Sequence, residues 1–268
     1  MVASLLVPLV AAAALVAPAG GARGRANTLP TRVPGTLTVA VDLGTIGLAE
    51  GSVVNEAITR ANGFEIDLAK TLAKRLGLRL KLVDVPFAQT FTAGAKPFDV
   101  AVSHATITAA RARSVDFSAP YFIVNKGVLV APGVTPPADL AQLRRLRICA
   151  QSKTTSLSYV LTRLRPTRAP HSFPSPIDAL RALSDGFCQA MVADLEILVA
   201  ARRDQSDLYG PIAGQIVTNE HYGGVFQKGS KLRAPVGAAL SALARSGVVT
   251  RLANRWFGPG WNRVPVLR

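Results

Sequence analysis

T-I-T-A-A-R-A-R-S-V-D-F-S-A-P-Y, residues Thr106 to Tyr121, follows a short apolar run, Phe98 to Val102, that reads as a buried strand. That strand delivers His104 and Thr106 to the loop beyond it. Thr106 and Thr108 alternate, and Arg111 stands three residues further on. A guanidinium presents a planar fork of donors that matches a carboxylate through two parallel hydrogen bonds. Hydroxyls and free backbone N–H groups at a strand end add neutral donors. The combination suits a receptor for a small carboxylate; read alone, a strand end with a surface arginine is the plainer reading.

The flanking sequence has the rhythm of an open α/β fold. Leu37 to Val41 is a buried strand that ends at Asp42 and a glycine-containing loop through Gly51. In open α/β sheets the carboxyl ends of strands face the ligand crevice, which places Asp42 there. Apolar residues at Ile66, Leu68, Ala69, Leu72, Ala73 and Leu76 have helical spacing, with Gly77 as a C-cap. Leu78 to Val85 is a further strand. Tyr121 to Val130 is an extended crossing segment, and Pro132 to Asp139 is a turn-rich break. Leu146 to Ala150 starts a second unit, a strand followed by Gln151 to Ser156 and a helix through Leu164. Thr154 and Thr155 stand at that helix start, either as an anion site or as ordinary caps. Phe187 to Ala193 is a strand that ends at Asp194, repeating the pattern of Asp42; a cap on the following helix is the other reading of Asp194. His221 to Phe226 is a second crossing strand, and two helices reach Trp256-Phe257-Gly258.

At 268 residues, with 49% hydrophobic and 18% charged residues, the chain can fold as two lobes. A formal charge of +15 invites a nucleic-acid reading. The basic residues are scattered in short groups such as Arg144-Arg145 and Arg202-Arg203, without interleaved aromatics, helix-turn-helix or zinc spacing, and that reading is rejected. His104, His171 and His221 are isolated, so no metal is expected, and no phosphate loop or G-x-S-x-G elbow occurs. Leu5 to Ala17 is too short to span a bilayer and is followed by Ala17-Pro18-Ala19, so residues 1–19 read as a secretory signal peptide and 20–36 as a lead-in. No cysteine stands there to carry a lipid. Cys149 and Cys188 lie in apolar runs, and their pairing is left open.

Gly63-Phe64-Glu65-Ile66-Asp67-Leu68 with Leu72, Ala73 and Leu76 resembles a signature of the family 3 extracellular solute-binding proteins. Thr106-Ile107-Thr108, Arg111, Val115-Asp116-Phe117-Ser118 and Pro120-Tyr121 resemble its next one, and the similarity runs from about Leu37 to Gly258. The resemblance implies a two-lobed, type II periplasmic-binding fold: residues 37–125 and 222–268 as lobe one, 126–221 as lobe two, joined by two hinge strands. It implies an exported monomer without cofactor that captures a polar or basic amino acid and delivers it to an ABC permease. In that reading Arg111, Thr106, Thr154 and Thr155 hold the ligand's carboxylate. Asp194, helped by the carbonyl near His104, holds the ammonium, and Asp42 faces the side chain. Lys153 stands where the family usually has glycine, and Gln89 where it often has arginine. Two other functions share the fold: a periplasmic cyclohexadienyl or arogenate dehydratase, and a sensory ligand-binding module.

Overall fold

The computed structural model describes residues 29–55 and 57–268; the signal-peptide reading of residues 1–19 falls outside them. In chain order the elements are β1 (Thr36–Val41), β2 (Glu50–Val54), β3 (Ala57–Asn62), α1 (Phe64–Leu76), β4 (Arg79–Asp84), α2 (Phe87–Thr90), β5 (Val100–Ala101), β6 (Val115–Phe117) and β7 (Phe122–Val130). Then come α3 (Leu140–Leu143), β8 (Ile148–Gln151), α4 (Thr155–Tyr159), β9 (His171–Phe173), α5 (Pro176–Ser184), β10 (Ala190–Asp194), α6 (Leu195–Asp204), β11 (Ile212–Tyr222), β12 (Val225–Gln227), α7 (Arg233–Arg245) and α8 (Val248–Phe257).

Two five-stranded sheets organise them, ordered β4-β1-β5-β12-β6 and β11-β7-β10-β8-β9. In the first sheet β1 runs parallel to β4 and β5, and β12 runs antiparallel to β5 and β6. In the second, β8 runs parallel to β10 and β9, and β7 is antiparallel to β10 and β11. The chain leaves the first sheet after β6 through β7 and returns through β11 to β12. These two crossing strands pair with each other, Phe122 opposite Tyr222 and Lys126 opposite Ile216. The tail does not stay with α7 and α8: Val266 bridges to Gln215 on β11, and Leu267 is buried in the second sheet's core.

Local chemistry explains the element ends. β1 is buried along its whole length, Thr36 and Thr38 included, as a strand covered on both faces requires. α1 begins after Gly63, whose φ is 125°, and a Cβ there would meet the Leu48 carbonyl oxygen at 2.2 Å. Only glycine fits that turn. Gly77 closes the helix in the left-handed conformation at φ 66°, so the expected C-cap is present. The loop read from Asp42 through Gly51 runs into an exposed hairpin, β2 and β3, whose strands lack an apolar face to betray them. Cys149 and Cys188 are joined in a disulfide, with Cα atoms 5.8 Å apart. The bridge ties β8 to the segment that leads into β10.

Candidate functional site

The cavity between the two sheets is lined by His104, Thr106 and Arg111 from the first unit and by Thr154, Thr155 and Asp194 from the second. Six of the seven residues singled out in the sequence therefore meet there. The seventh, Asp42, does not line it. Its Oδ1 accepts the Phe87 backbone N–H at 3.1 Å, and its Oδ2 lies 3.9 Å from His104 Nε2. Burial pushes the Asp42 carboxyl up to about 6. In this structure the Asp42 carboxylate faces the His104 imidazole and not the cavity. The cavity itself is small, about 10 Å³, room for roughly one water molecule.

Arg111 reaches the cavity from a single 3-10 turn, Arg111–Arg113. Its Nη1 donates to the Thr106 carbonyl at 2.8 Å and its Nη2 to the Lys153 carbonyl at 3.1 Å. The guanidinium lies 3.9 Å from the Phe91 ring centre and 5.1 Å from that of Phe87. Among the described residues it forms no ion pair. Burial lowers its pKa to about 10, so the charge persists at neutral pH. Phe87, on α2, also stacks on His104 with the rings 3° apart in tilt and 4.8 Å between centres. Aromatic walls thus exist, supplied by residues that sequence reasoning did not single out.

Lys153 takes the left-handed conformation, φ 62°, which accounts for the glycine that the family places there. That conformation turns its carbonyl toward Arg111. Thr154 caps α4, its Oγ1 accepting the Leu157 N–H at 3.1 Å. Thr155 is different. Its hydroxyl donates to Glu220 Oε2 at 2.6 Å and accepts from Lys126 Nζ at 2.6 Å.

Asp194 precedes α6 but makes no side-chain cap bond; its carboxylate is turned into the site. Oδ1 accepts Lys126 Nζ at 2.5 Å and Ser156 Oγ at 3.2 Å, and Oδ2 accepts the Tyr222 hydroxyl at 2.5 Å. Lys126, wholly buried, also donates to Glu220 Oε2 at 2.9 Å. Burial works against both charges of the Lys126–Asp194 pair. Mutual attraction and hydrogen bonding outweigh it, raising the lysine pKa and lowering that of Asp194. Glu196 sits behind Tyr222 with its Oε1 hydrogen-bonded to the phenol oxygen; the single phenol proton goes to Asp194, so the carboxyl of Glu196 is the donor in this second bond. Burial, reinforced by Asp194, raises its carboxyl to about 8, so it carries a proton at neutral pH. On the first unit, buried Glu65 accepts the His104 backbone N–H, and its Oε2 lies 3.7 Å from His104 Nδ1. Burial opposes charge on that ring, but Glu65, Asp42 and Asp194 outweigh it and raise the His104 pKa.

Two α/β units joined by paired crossing strands, with opposed basic and acidic anchors facing across the gap, define a two-lobed ligand-binding protein. Residues 52–259 match the family model of the bacterial extracellular solute-binding proteins, family 3, and the chain belongs to that family. It is 25% identical over 257 residues to a probable histidine-binding protein of Neisseria gonorrhoeae, covering 92% of this chain and 93% of that one. An ancestral arginine-binding protein bound to glutamine superposes with a TM-score of 0.73 at 27% identity, over 85% of this chain and all of that one. An ancestral amino acid-binding protein described as a precursor of cyclohexadienyl dehydratase gives 0.70 at 25% identity, over 83% of this chain and 95% of that chain.

Among the described residues no helix is long and apolar enough to cross a membrane, and no group of acidic, histidine or cysteine side chains is arranged to hold a metal.

Proposed function

We propose that this protein captures an amino acid, polar or basic by preference, between its two lobes outside the cytoplasmic membrane and hands it to an ABC-type permease as a monomer. Arg111 is the observation that carries the reading. It is a charged guanidinium packed against the adjoining rings of Phe91 and Phe87, with only neutral carbonyl partners and with hydroxyls from both units beside it. A cation desolvated in this way is completed by a carboxylate. Asp194 on the opposite wall is the anchor for an ammonium. The relatives named for histidine, arginine and glutamine support the amino-acid class. The lobes divide at residues 37–125 with 222 onward and 126–221, apart from the tail from Pro265, which packs on lobe two, and the crossing strands act as hinge. Export by the N-terminal segment completes the account.

Binding here does no chemistry. The carboxyl that carries a proton at neutral pH, Glu196, is screened by Tyr222 and does not line the cavity, so it is not presented to a substrate as a general acid.

A thermal-shift panel of the amino acids tests the reading. Ligand at a hundred times its dissociation constant stabilises by about 2.7 kcal/mol, which moves a melting point by several degrees. A shift with arginine, glutamine or histidine is expected. No shift with any amino acid, or turnover of prephenate or arogenate by the purified protein, would overturn it.

A further inference from the structure

The polar anchors of the cleft already have occupants supplied by the chain. Lys126 comes from β7 and Glu220 from β11, the two crossing strands. The Lys126 ammonium lies on Asp194 at 2.5 Å, where an α-ammonium would bind. Glu220 Oε2 accepts Thr106 Oγ1 at 2.9 Å from the first unit and Thr155 Oγ1 at 2.6 Å from the second, where an α-carboxylate would bind. The two side chains pair with each other at 2.9 Å. Ammonium and carboxylate therefore sit side by side, as they do in an amino acid.

The backbone is built to aim Glu220 there. The pairing of β11 with β7 shifts register between Ile216 and Glu220, and Asn219 within that bulge has φ 48°. Asn125 fixes the bulge, its Oδ1 accepting the N–H groups of Thr218 and Asn219 at 3.1 Å each. A bulge re-aims a side chain that regular alternation would direct elsewhere.

We propose that Lys126 and Glu220 form an internal stand-in for the charged end of an amino acid, holding the cleft shut until a ligand displaces both. The proposal rests on the functional reading above for the roles of Asp194, Thr106 and Thr155. With only about 10 Å³ free, no amino acid enters the closed cavity without moving something. A ligand with both an ammonium and a carboxylate replaces both occupants. A plain carboxylate expels Glu220 alone and leaves Lys126 on Asp194, so the pair selects for zwitterions. It also lowers apparent affinity, because each binding event works against an already satisfied closed form.

Two variants decide it: Glu220→Gln, and the double variant Lys126→Met with Glu220→Gln. Small-angle scattering without added ligand reads closure, and titration with arginine, glutamine and histidine reads affinity. A larger radius of gyration in the double variant, with amino-acid affinity raised at least about tenfold, is expected. Should the double variant not fold, Glu220→Gln keeps the Lys126–Asp194 pair and is expected to move both readouts in the same direction. An unchanged radius, with affinity lowered or unchanged in the variants, would overturn the proposal while leaving the amino-acid reading intact. If no variant and no wild-type protein binds the three amino acids yet the radius grows, the latch stands and the amino-acid reading falls.

Discussion

Arg111 does its work through its shape as much as its charge. The planar fork spans two carbonyls while it packs over Phe91, with Phe87 beside that ring. Lysine in its place would keep the charge but neither the fork nor the stacking, so Arg111→Lys is expected to bind amino acids at least about tenfold more weakly without unfolding, measurable by titration and thermal melting. Asp194 has a structural duty beside its binding one. Asp194→Asn leaves Lys126 with Glu220 as its one acidic partner, and breaking a buried pair costs roughly 3–5 kcal/mol. A loss of stability at the low end of that range, read as a fall in melting temperature, is expected, because Glu220 keeps part of the charge compensated. Glu196 makes a prediction in pH. Its folded pKa is raised, so its stabilising contribution is full below the ordinary value of 4.5 and is lost as pH climbs toward about 8. Glu196→Gln should flatten the decline of stability across that window in pH-dependent melts. Asp194, lowered instead, acts in the opposite sense and weakens the fold on acidification. At this scale much was legible: Thr106, Arg111, Thr154, Thr155 and Asp194 stand out as hydroxyls, a fork and a carboxylate at strand ends. Lys126 also left a signal, a lysine in the break Asn125-Lys126-Gly127 between the two apolar stretches of β7. Glu220 left none, because its aim depends on a bulge that no local pattern encodes.

The elements carry these side chains with different degrees of rigidity. β8 and β10, which lead to Thr155 and to Asp194, are adjacent and parallel, and the Cys149–Cys188 disulfide locks them across a sequence separation of 39. Chain-entropy reasoning values a loop of that length at about 4 kcal/mol. Cys149→Ser with Cys188→Ser is expected to lower the melting temperature markedly, whereas reduction of a protein without that bridge would change nothing. Strands rich in apolar and β-branched residues, β1, β7 and β10, were readable from the sequence, as was α1 with its glycine at each end. The β2–β3 hairpin and most of β11 were not. Both carry alternations of small, polar and glycine residues, and β11 has no unbroken apolar face. Its strand character comes from pairing with β7 along nearly its whole length, a tertiary effect.

For the molecule as a whole, the crossing strands are hinge and site together. Each delivers one member of the Lys126–Glu220 pair, and Glu220 carries that pair's contact to Thr106 of the first unit, so opening at the hinge breaks that contact. The chain order of strands and helices made the α/β class and the two units legible, because βα alternation with two extended crossings admits few other arrangements. The crossing of the tail to β11 was not legible, since Val266 and Leu267 are two apolar residues without a repeating pattern. The formal charge of +15 bears on partners and solubility, and the fold does not depend on it. The central claim is that Arg111 receives the carboxylate of an amino acid in the cleft between the lobes. Calorimetric titration of arginine, glutamine and histidine into the wild-type protein and into Arg111→Ala tests it most directly. Saturable one-to-one binding to the wild type, weakened at least about a hundredfold in the variant, is predicted. Equal binding to both proteins would contradict it.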